Sequence, residues 1–231
     1  MLAALLSRAL TAAGAGPLLL IDADPSGGLL SAIGEKPGKT LAGVREEIIK
    51  SARGADESGK EKLARRLDYM VMEALQERKG YALLSLGRAA DSRCFCPANT
   101  LLRDAVDFLA GSFSSILIDA EAGLEQIQRQ VTRNVSLVIA VTDGTARACD
   151  TIAAMSGMLG GRKLSAVANR IPDGAEIPLP VGIELIGDLP EDPAVGKFDR
   201  EGRPLWELPE DSPAVVAAAV LARRIFRLTE V

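Results

Sequence analysis

The sequence predicts an α/β fold, a doubly wound and mostly parallel sheet with helices on both faces. Short apolar runs alternate with helical patterns along the chain, and those runs are continuous rather than alternating in polarity. Strands separated by helices favour a parallel sheet with right-handed crossovers. Continuous apolar strands are typical of a sheet that is buried on both faces. The chain has 231 residues, so we predict one domain over 1–231.

The first half of the chain opens with a predicted helix over 2–14. Its apolar residues follow helical spacing, and Arg8 interrupts the apolar run, which argues against a secretion signal. The same periodicity places the other elements of this half at strand 17–22, helix 28–33, loop 35–40, helices 40–52 and 60–78, strand 81–86, helix 98–110 and strand 115–119.

The second half continues the alternation of strands and helices. Ser212 and Pro213 are favourable residues at the start of the last helix, one as a cap and the other in the first turn. The elements of this half are predicted as helix 124–132, strand 135–141, helix 144–159, strand 164–168, a proline-rich loop at 172–180, strand 182–187 and helix 212–228.

Composition excludes several classes of function. A net charge of −4 and an aromatic content of 3% argue against nucleic-acid and anionic-membrane partners. With no histidine, the chain contains no Ser-His-Asp triad and no His-ligated metal site. Three cysteines without a secretion signal fit a reducing compartment, so we expect a cytoplasmic protein.

Acidic and amide residues gather where the predicted strands end. Because ligands of open parallel sheets bind at the carboxyl ends of the strands, these residues are the candidate site. Carboxylates in this position suit Mg²⁺, which takes one or two of them together with water and substrate phosphates. The alternative is that Asp and Gly only terminate strands as ordinary turn residues. The candidate residues at strand ends are Asp22, Asp24, Asp119, Glu121, Gly123, Asn169, Arg170, Asp188, Glu191 and Asp192.

Two segments identify a family resemblance. IDADPSGGLLSAIG resembles the switch I segment of the deviant Walker A ATPases, the group that contains nitrogenase iron protein, MinD and ParA. ILIDAEAGLEQIQR resembles their Walker B and switch II segments. With CFCPANTLLR and GDLPEDPAV, the match is most similar to the CooC-type accessory ATPases of carbon monoxide dehydrogenase, and it runs from Leu2 to about Val220.

The resemblance implies roles for the acids of the first half. Asp22 and Asp24 belong to switch I, near Mg²⁺ and the attacking water. Asp119 is the implied Walker B carboxylate, which holds a magnesium-bound water. Glu121 and Gly123 lie in the implied switch II, which senses the γ-phosphate. ATP or ADP with Mg²⁺ is therefore the implied ligand, and Asp24 and Asp119 are the implied catalytic residues.

The resemblance also implies a base-binding region in the second half. Asn169 would bind the edge of adenine, and Arg170 is grouped with it in the nucleotide site. Pro190, Glu191 and Asp192 would line the base pocket. A GTPase more often shows Asn-Lys-x-Asp, which the sequence Asn-Arg-Ile-Pro at 169–172 does not fit.

Cys94 and Cys96 form a CFC motif. Two thiolates from one chain do not complete a tetrahedral metal site, but a two-fold dimer would bring four thiolates together. In CooC-type proteins such a pair is the metal site of the dimer, and this implies an intersubunit Cys₄ site for Zn²⁺ or Ni²⁺. The alternative is a pair of free thiols. Cys149 is expected to lie in the core.

The phosphate-binding loop of the family, GKGGxGK[ST], should precede helix 2–14. Met1 stands at about its final hydroxyl position, so we expect native sequence upstream, with the strand that precedes the loop. Gly38-Lys39-Thr40 does not replace it, because it follows no strand and lacks the upstream glycine.

Three functions are open at this point. The first is an ATP-driven homodimeric switch that assists nickel insertion into carbon monoxide dehydrogenase as its client. The second is a non-hydrolysing metal- or partner-binding relative that uses Cys94 and Cys96. The third is a MinD- or ParA-like positioning ATPase, which would need a membrane-binding tail or a basic DNA-binding surface.

Overall fold

The computed structural model describes residues 1–14, 16–52, 67–88, 96–120, 135–171 and 176–229. The helices in this part of the chain are α1 (Leu2–Ala12), α2 (Gly28–Ile33), α3 (Leu41–Ala52), α4 (Leu67–Ala74), α5 (Cys96–Leu109), α6 (Ala146–Met158), α7 (Pro193–Arg200) and α8 (Pro213–Thr229). The strands are β1 (Leu18–Asp22), β2 (Gln76–Arg78), β3 (Tyr81–Ser85), β4 (Ser115–Asp119), β5 (Val138–Thr142), β6 (Leu164–Asn169) and β7 (Glu184–Leu189).

The chain divides into two compact units. One contains Met1–Ala12, Ala32–Gly34 and Ala122–Val231, and the other contains Ala13–Ser31 and Glu35–Glu121. The α/β fold class is confirmed, since the strand pairings in the described residues are parallel with the single exception of β2 with β3, and helices follow β1, β3 and β5 before the next parallel strand. The single domain over 1–231 stays a prediction.

A four-stranded sheet in the order β2-β3-β1-β4 organises the second unit. β1 is parallel to both β3 and β4, and every residue of β1 is buried, as expected for a central strand of apolar residues. β2 pairs antiparallel with β3 and forms one edge of this sheet. Its residues are Gln, Glu and Arg, and a short charged edge discourages pairing with another chain.

A three-stranded parallel sheet in the order β5-β6-β7 organises the other unit. Its register shifts between Ala166 and Val167, where β7 carries one extra residue, Ile186. The bulge leaves Ile186 and Leu189 both buried although they are three residues apart, an odd spacing that a regular strand would place on opposite faces. Gly187 adopts φ 151° at the bulge.

Several predicted boundaries were wrong by two residues or more, among them the strand over 135–141, which begins at Val138, and one helix was missed. The helix over 60–78 ends at Ala74, because residues 76–78 form β2 of a hairpin that turns at Gly80, with φ 92°. The strand over 182–187 continues to Leu189, because Gly187 forms the bulge instead of a turn. Helix α7 was not predicted, although Asp192 and Pro193 are typical start signals. The predicted helix 124–132 lies outside the described residues.

Helix α1 packs against α8 in the first unit. The indole Nε1 of Trp206 donates to the carbonyl of Ala4 at 2.8 Å. The guanidinium of Arg8 donates to the carbonyl of Leu208 at 2.7 Å and to Glu210 at 2.6 Å. Through these contacts, Leu2–Ala12 packs with residues that lie about 200 positions later in the sequence. No helix within the described ranges has the length and apolar character needed to cross a bilayer.

Candidate functional site

The turn that follows β1 is built around two carboxylates. Asp22 ends the strand and is fully buried. Its Oδ1 accepts the amide of Asp24 at 3.2 Å, and its Oδ2 accepts the amide of Leu30, in α2, at 3.1 Å. Asp24 in turn accepts the amide of Ser26 at 2.7 Å. We refer to residues 22–27 as the Asp24 turn, because these bonds fix Asp24 at its centre.

Asp119 ends the neighbouring strand in the same register as Asp22. The amide of Ala23 donates to the carbonyl of Asp119 at 2.9 Å, which extends the β1–β4 ladder one step past the strand. Register partners on parallel strands present their side chains to the same face of the sheet. The structure therefore brings the predicted residues Asp22, Asp24 and Asp119 to one edge.

The surroundings of Asp22, Asp24 and Asp119 disfavour the state in which all three carboxylates are ionised. Burial raises the pKa of Asp22 to about 6, and the carboxylates of Asp119 and Asp24 add to the rise, while the two amide donors partly offset it. Burial likewise raises the pKa of Asp119, with a further contribution from Asp24. A cation at this edge would favour the ionised forms and lower both pKa values.

The donor set of oxygen atoms fits Mg²⁺ rather than a transition metal. Across the described ranges, no three Asp, Glu or Cys side chains converge to hold an ion by themselves. Mg²⁺ tolerates this, because it commonly keeps several waters and takes only one or two carboxylates with phosphate oxygens. The edge is therefore suited to a metal that arrives with a phosphate ligand.

A third strand end, which sequence reasoning missed, contributes to this edge. β3 is followed by residues 86–88, where the amide of Leu86 donates to the carbonyl of Asp22 at 2.8 Å. The Nε of Arg88 donates to the carbonyl of Pro25, in the Asp24 turn, at 3.3 Å. Acids and amides at strand ends signal a cation site in the sequence, whereas an arginine in that position carries no such signal.

The other unit carries the predicted base-binding residues. Asn169 ends β6, and its buried Oδ1 lacks a hydrogen-bond partner in the part of the chain that the structure describes. Arg170 has φ 56°, the left-handed region, and its amide donates to the carbonyl of Leu189 at 2.8 Å. An unmet acceptor beside a strained residue is a feature of ligand sites, because strain and orphaned polar atoms persist where a ligand compensates them.

Asp192 is occupied by structural hydrogen bonds. Its Oδ1 accepts the amide of Ala194 at 2.9 Å and caps α7. Its Oδ2 accepts the hydroxyl of Ser212 and the amide of Ala214, at the start of α8. Burial alone would raise the pKa of Asp192, but these bonds outweigh it and lower the pKa. The side chain of Asp192 therefore holds two helix starts, while Pro190 and Glu191 form the connection from β7 to α7.

The end of β5 was also absent from the predicted set. Thr142 is buried and accepts the amide of Gly144 at 3.1 Å. Asp143 accepts the amide and the hydroxyl of Thr145, which lower its pKa. Thr145 caps α6 through the amide of Ala148. This strand end consists of a turn and a helix cap whose polar groups satisfy one another.

Several predicted residues lie outside the described residues: Glu121, Gly123 and Cys94. Cys96 is the first residue of α5. Cys149 is buried, as predicted for a core residue. The intersubunit Cys₄ site therefore stays a prediction.

Gly38-Lys39-Thr40 has a structural role, in agreement with its rejection as a phosphate loop. The Nζ of Lys39 pairs with Glu47 and Glu73, each at 2.8 Å. The Oγ1 of Thr40 accepts the amide of Gly43 at 3.2 Å in the first turn of α3. The ammonium group is thus neutralised by two carboxylates.

No protein-family model matches the chain, whereas several individual proteins are similar to it. The chain is 33% identical to an uncharacterized ATP-binding protein, MJ0685, of Methanocaldococcus jannaschii over 222 residues, which cover 90% of this chain and 86% of that protein. It is 29% identical to the carbon monoxide dehydrogenase accessory protein CooC of Rhodospirillum rubrum, with 95% of this chain and 90% of that protein covered. Among solved structures, the septum site-determining protein MinD of Pyrococcus horikoshii, complexed with Mg-ADP, is similar with a TM-score of 0.67 and 20% identity, over 99% of this chain and 90% of that protein.

Proposed function

This chain belongs to the CooC-type MinD/ParA-like P-loop NTPases, as its motifs predicted, and from that premise we propose that it is an ATP-dependent homodimeric switch that assists nickel insertion into carbon monoxide dehydrogenase in the cytoplasm. The observation that carries the ATP-dependent part is the alignment of Asp22 and Asp119 on adjacent strands with Asp24 in the turn that follows. The CooC relative supports the client.

The three acids at this edge would have different roles in binding and hydrolysis of the nucleotide. Asp119 would hold Mg²⁺ through water, and the ion would neutralise charge on the phosphates. Both carboxylate oxygens of Asp22 are already used within the protein, because they accept the amides of Asp24 and Leu30. Its task is to fix the Asp24 turn. Asp24 would then orient the water that attacks the γ-phosphate, a positioning role that phosphoryl transfer depends on.

Asn169 would supply base recognition. Its unmet Oδ1 is an acceptor suited to the exocyclic amine of adenine, and a buried acceptor without a partner is costly until a donor arrives. The strained Arg170 holds the end of β6 beside β7 through the carbonyl of Leu189. We include Pro190, Glu191 and the backbone of Asp192 in the base pocket, because the Asp192 side chain is already engaged.

Cys94 and Cys96 would form the metal site of the dimer. Two CFC motifs related by a two-fold axis supply four thiolates, a set that selects Zn²⁺ and accepts Ni²⁺. Opening and closing of the dimer by ATP would then govern access to the metal. This part of the proposal rests on the sequence motif and on the CooC relative.

The proposal is tested by hydrolysis and assembly of the native full-length protein. Asp24→Asn and Asp119→Asn should each lower kcat by about 100-fold or more, since each removes a positioned charge at the reacting phosphate. Asp211→Asn, at an exposed position, is the matched control and should retain wild-type activity. Light scattering should show a dimer that forms with Mg·ATP, and Cys94→Ser with Cys96→Ser should lose one zinc per dimer.

The alternative functions have their own signatures in the same experiments. Zinc binding without nucleotide binding would favour a non-hydrolysing metal- or partner-binding relative. ATP-dependent recruitment to anionic vesicles or DNA, without metal binding, would favour a positioning ATPase. A wild-type protein that hydrolyses ATP but remains a monomer in all nucleotide states would overturn the dimeric switch.

A further inference from the structure

The segment 190–192, which joins β7 to α7, is held at both of its ends. Just before it, the carbonyl of Leu189 accepts the amide of Arg170 at 2.8 Å. At its other end, the side chain of Asp192 is hydrogen-bonded to the starts of α7 and α8. Only Pro190 and Glu191 lie between these two anchors, and the ring of the proline fixes its own φ. The path of the segment therefore depends on how firmly each anchor is held.

The anchor at Asp192 is set by Ser212, twenty residues later in the chain. The hydroxyl of Ser212 donates to Oδ2 of Asp192, and both residues are buried. The main chain of Ser212 is fixed on both sides, because its amide donates to the carbonyl of Pro209 at 3.1 Å and its carbonyl accepts the amide of Val216 at 3.0 Å. The hydroxyl therefore holds the Asp192 carboxylate from a position that the helix start itself fixes.

Helix α8 is in turn packed closely against the strand from which the segment leaves. The helix contacts both α1 and β7. A β-carbon at Gly187, in β7, would lie 2.6 Å from Cδ2 of Leu221, in α8, so the backbone of the strand directly faces the helix. Because close packing of this kind resists displacement, a shift of Ser212 relative to β7 is opposed along the length of the helix.

The backbone between the two anchors is free to bind a ligand. Within the described residues, the carbonyl of Pro190 and the amide and carbonyl of Glu191 make no hydrogen bond. Asn169 is the register partner of Leu189, and its buried Oδ1 also lacks a partner in that part of the chain. The segment and the Asn169 side chain therefore offer donors and acceptors side by side at one end of the sheet.

Adenine and guanine differ at the group that would meet Asn169 under the proposed function. Adenine carries an amine, a hydrogen-bond donor, where guanine carries a carbonyl oxygen, an acceptor. In the orientation of the structure, Asn169 presents Oδ1, which pairs with the amine and repels the oxygen. A base that slides in its site escapes such a repulsion, so discrimination is only as good as the fixing of the base.

We propose that Ser212 is a positioning residue for base recognition, whose hydroxyl holds Asp192 and, through it, the segment 190–192 beside Asn169. This inference rests on the proposed function, because it needs a nucleotide base at the end of β6. The anchored segment confines the base against Asn169, so adenine is held and guanine is excluded. Loss of the hydroxyl frees one of the two anchors, and the segment then moves aside for guanine and holds adenine less firmly.

Calorimetric titration of the native full-length protein with three probes tests this role. Wild type should bind Mg·ADP at least about 30-fold more tightly than Mg·GDP, since guanine leaves polar groups of the site mispaired. Ser212→Ala should reduce this preference by about 5- to 10-fold, the effect of one hydrogen bond lost at the anchor. Its affinity for Mg·pyrophosphate, which has no base, should stay within about 2-fold of wild type, because the phosphates bind elsewhere.

Three further variants separate positioning from folding. Ser212→Thr keeps the hydroxyl and should keep most of the wild-type preference for Mg·ADP over Mg·GDP. Ser212→Gly removes the hydroxyl, is tolerated where a helix starts, and should lose the preference as Ser212→Ala does. Ser7→Ala is the control, because it removes another buried hydroxyl of the same unit, one that bonds to Ala4 and Trp206. It should lower the melting temperature and leave the preference unchanged.

The possible failures point to different parts of the argument. Equal preferences for Mg·ADP in wild type, Ser212→Ala and Ser212→Gly would overturn the positioning role and leave the ATPase proposal intact. A loss of preference in Ser7→Ala as large as that in Ser212→Ala would overturn it as well, because the effect would then follow stability. Wild-type protein that binds Mg·ADP and Mg·GDP equally would overturn base recognition by Asn169 and Ser212. Wild-type protein that binds no Mg·ADP would overturn the ATPase proposal and this inference together.

Discussion

Asp22 and Asp119 are register partners at the carboxyl ends of β1 and β4, and the amide after Asp22 donates to the carbonyl of Asp119. The backbone thus holds two acids on one face of the sheet, with Asp22 buried and committed to two amides. That arrangement favours protonation when no cation is present, and it has a measurable effect on stability.

The first prediction concerns the pH dependence of unfolding without divalent metal. The pKa of Asp22 is about 6 in the folded protein against an ordinary value of 3.8, so the folded state binds more protons between these values. The free energy of unfolding should therefore fall as pH rises from about 4 to about 6 and level off above, by on the order of 3 kcal/mol from this group.

Asp22→Asn removes the titrating proton, so its contribution to that slope should disappear. Urea unfolding in EDTA at several pH values measures the difference between the two proteins. Asp211→Asn is the control and should keep the wild-type slope. Parallel curves for wild type and Asp22→Asn would contradict the high pKa of Asp22. The slope is the quantity to compare, because an asparagine has one acceptor for the amides of Asp24 and Leu30.

The second prediction concerns Asp192 as a shared cap. Asp192→Ala should lower the free energy of unfolding by about 2–4 kcal/mol, because it removes caps from α7 and α8 and leaves the Ser212 hydroxyl without its acceptor. Ser212→Ala should cost less, since the caps made by Asp192 survive. Chemical denaturation measures both, and equal stabilities of Asp192→Ala and wild type would contradict the capping role.

The third prediction separates backbone strain from packing at Gly87. Gly160 has φ 59° and no atom within 4 Å of the place that an added β-carbon would take, whereas Gly87 has φ 71° and meets Thr40. Gly160→Ala should cost about 1 kcal/mol from backbone strain alone. Gly87→Ala should cost at least about 2 kcal/mol more, because Thr40 must move. Thermal unfolding of the two variants gives the comparison, and similar losses would show that Thr40 yields easily.

The fourth prediction concerns Asn169. Asn169→Ala should weaken ATP binding by about 10-fold, since it removes one hydrogen bond to the base. It should leave the ligand-free protein at least as stable as wild type, because it removes a buried Oδ1 that has no partner among the described residues. Calorimetric titration and denaturation together measure this. A large loss of stability with unchanged affinity would assign Asn169 to the fold instead of the base.

The fold class and most elements follow from periodicity because their apolar runs are long and regular. β1 was located within one residue by its apolar run, and burial of the whole strand explains why the run is continuous. The end of β7 was misplaced because Gly187 reads as a turn signal, although a bulge uses the same residue. β2 escaped detection because three polar residues carry no apolar pattern.

The candidate site was predictable where acids follow apolar strands, as at Asp22, Asp24 and Asp119. The function of a given acid was less predictable, because it depends on partners distant in sequence. Asp192 looks like a pocket residue until Ser212, twenty residues later, is seen to donate to it. Arg88 carried no acidic or amide signal, and only the bond to Pro25 distinguishes it from other exposed arginines.

The partners of α1 determine when it can fold during synthesis. Ala4 and Arg8 bond to Trp206, Leu208 and Glu210, about 200 positions further along, and α1 packs on α8. A helix whose apolar face packs on a segment about 200 residues further along stays without that native cover until the later segment has left the ribosome. We therefore expect nascent chains that end before α8 to bind a chaperone through the segment Leu2–Ala12, and nascent chains in which α8 has left the ribosome to lose that binding.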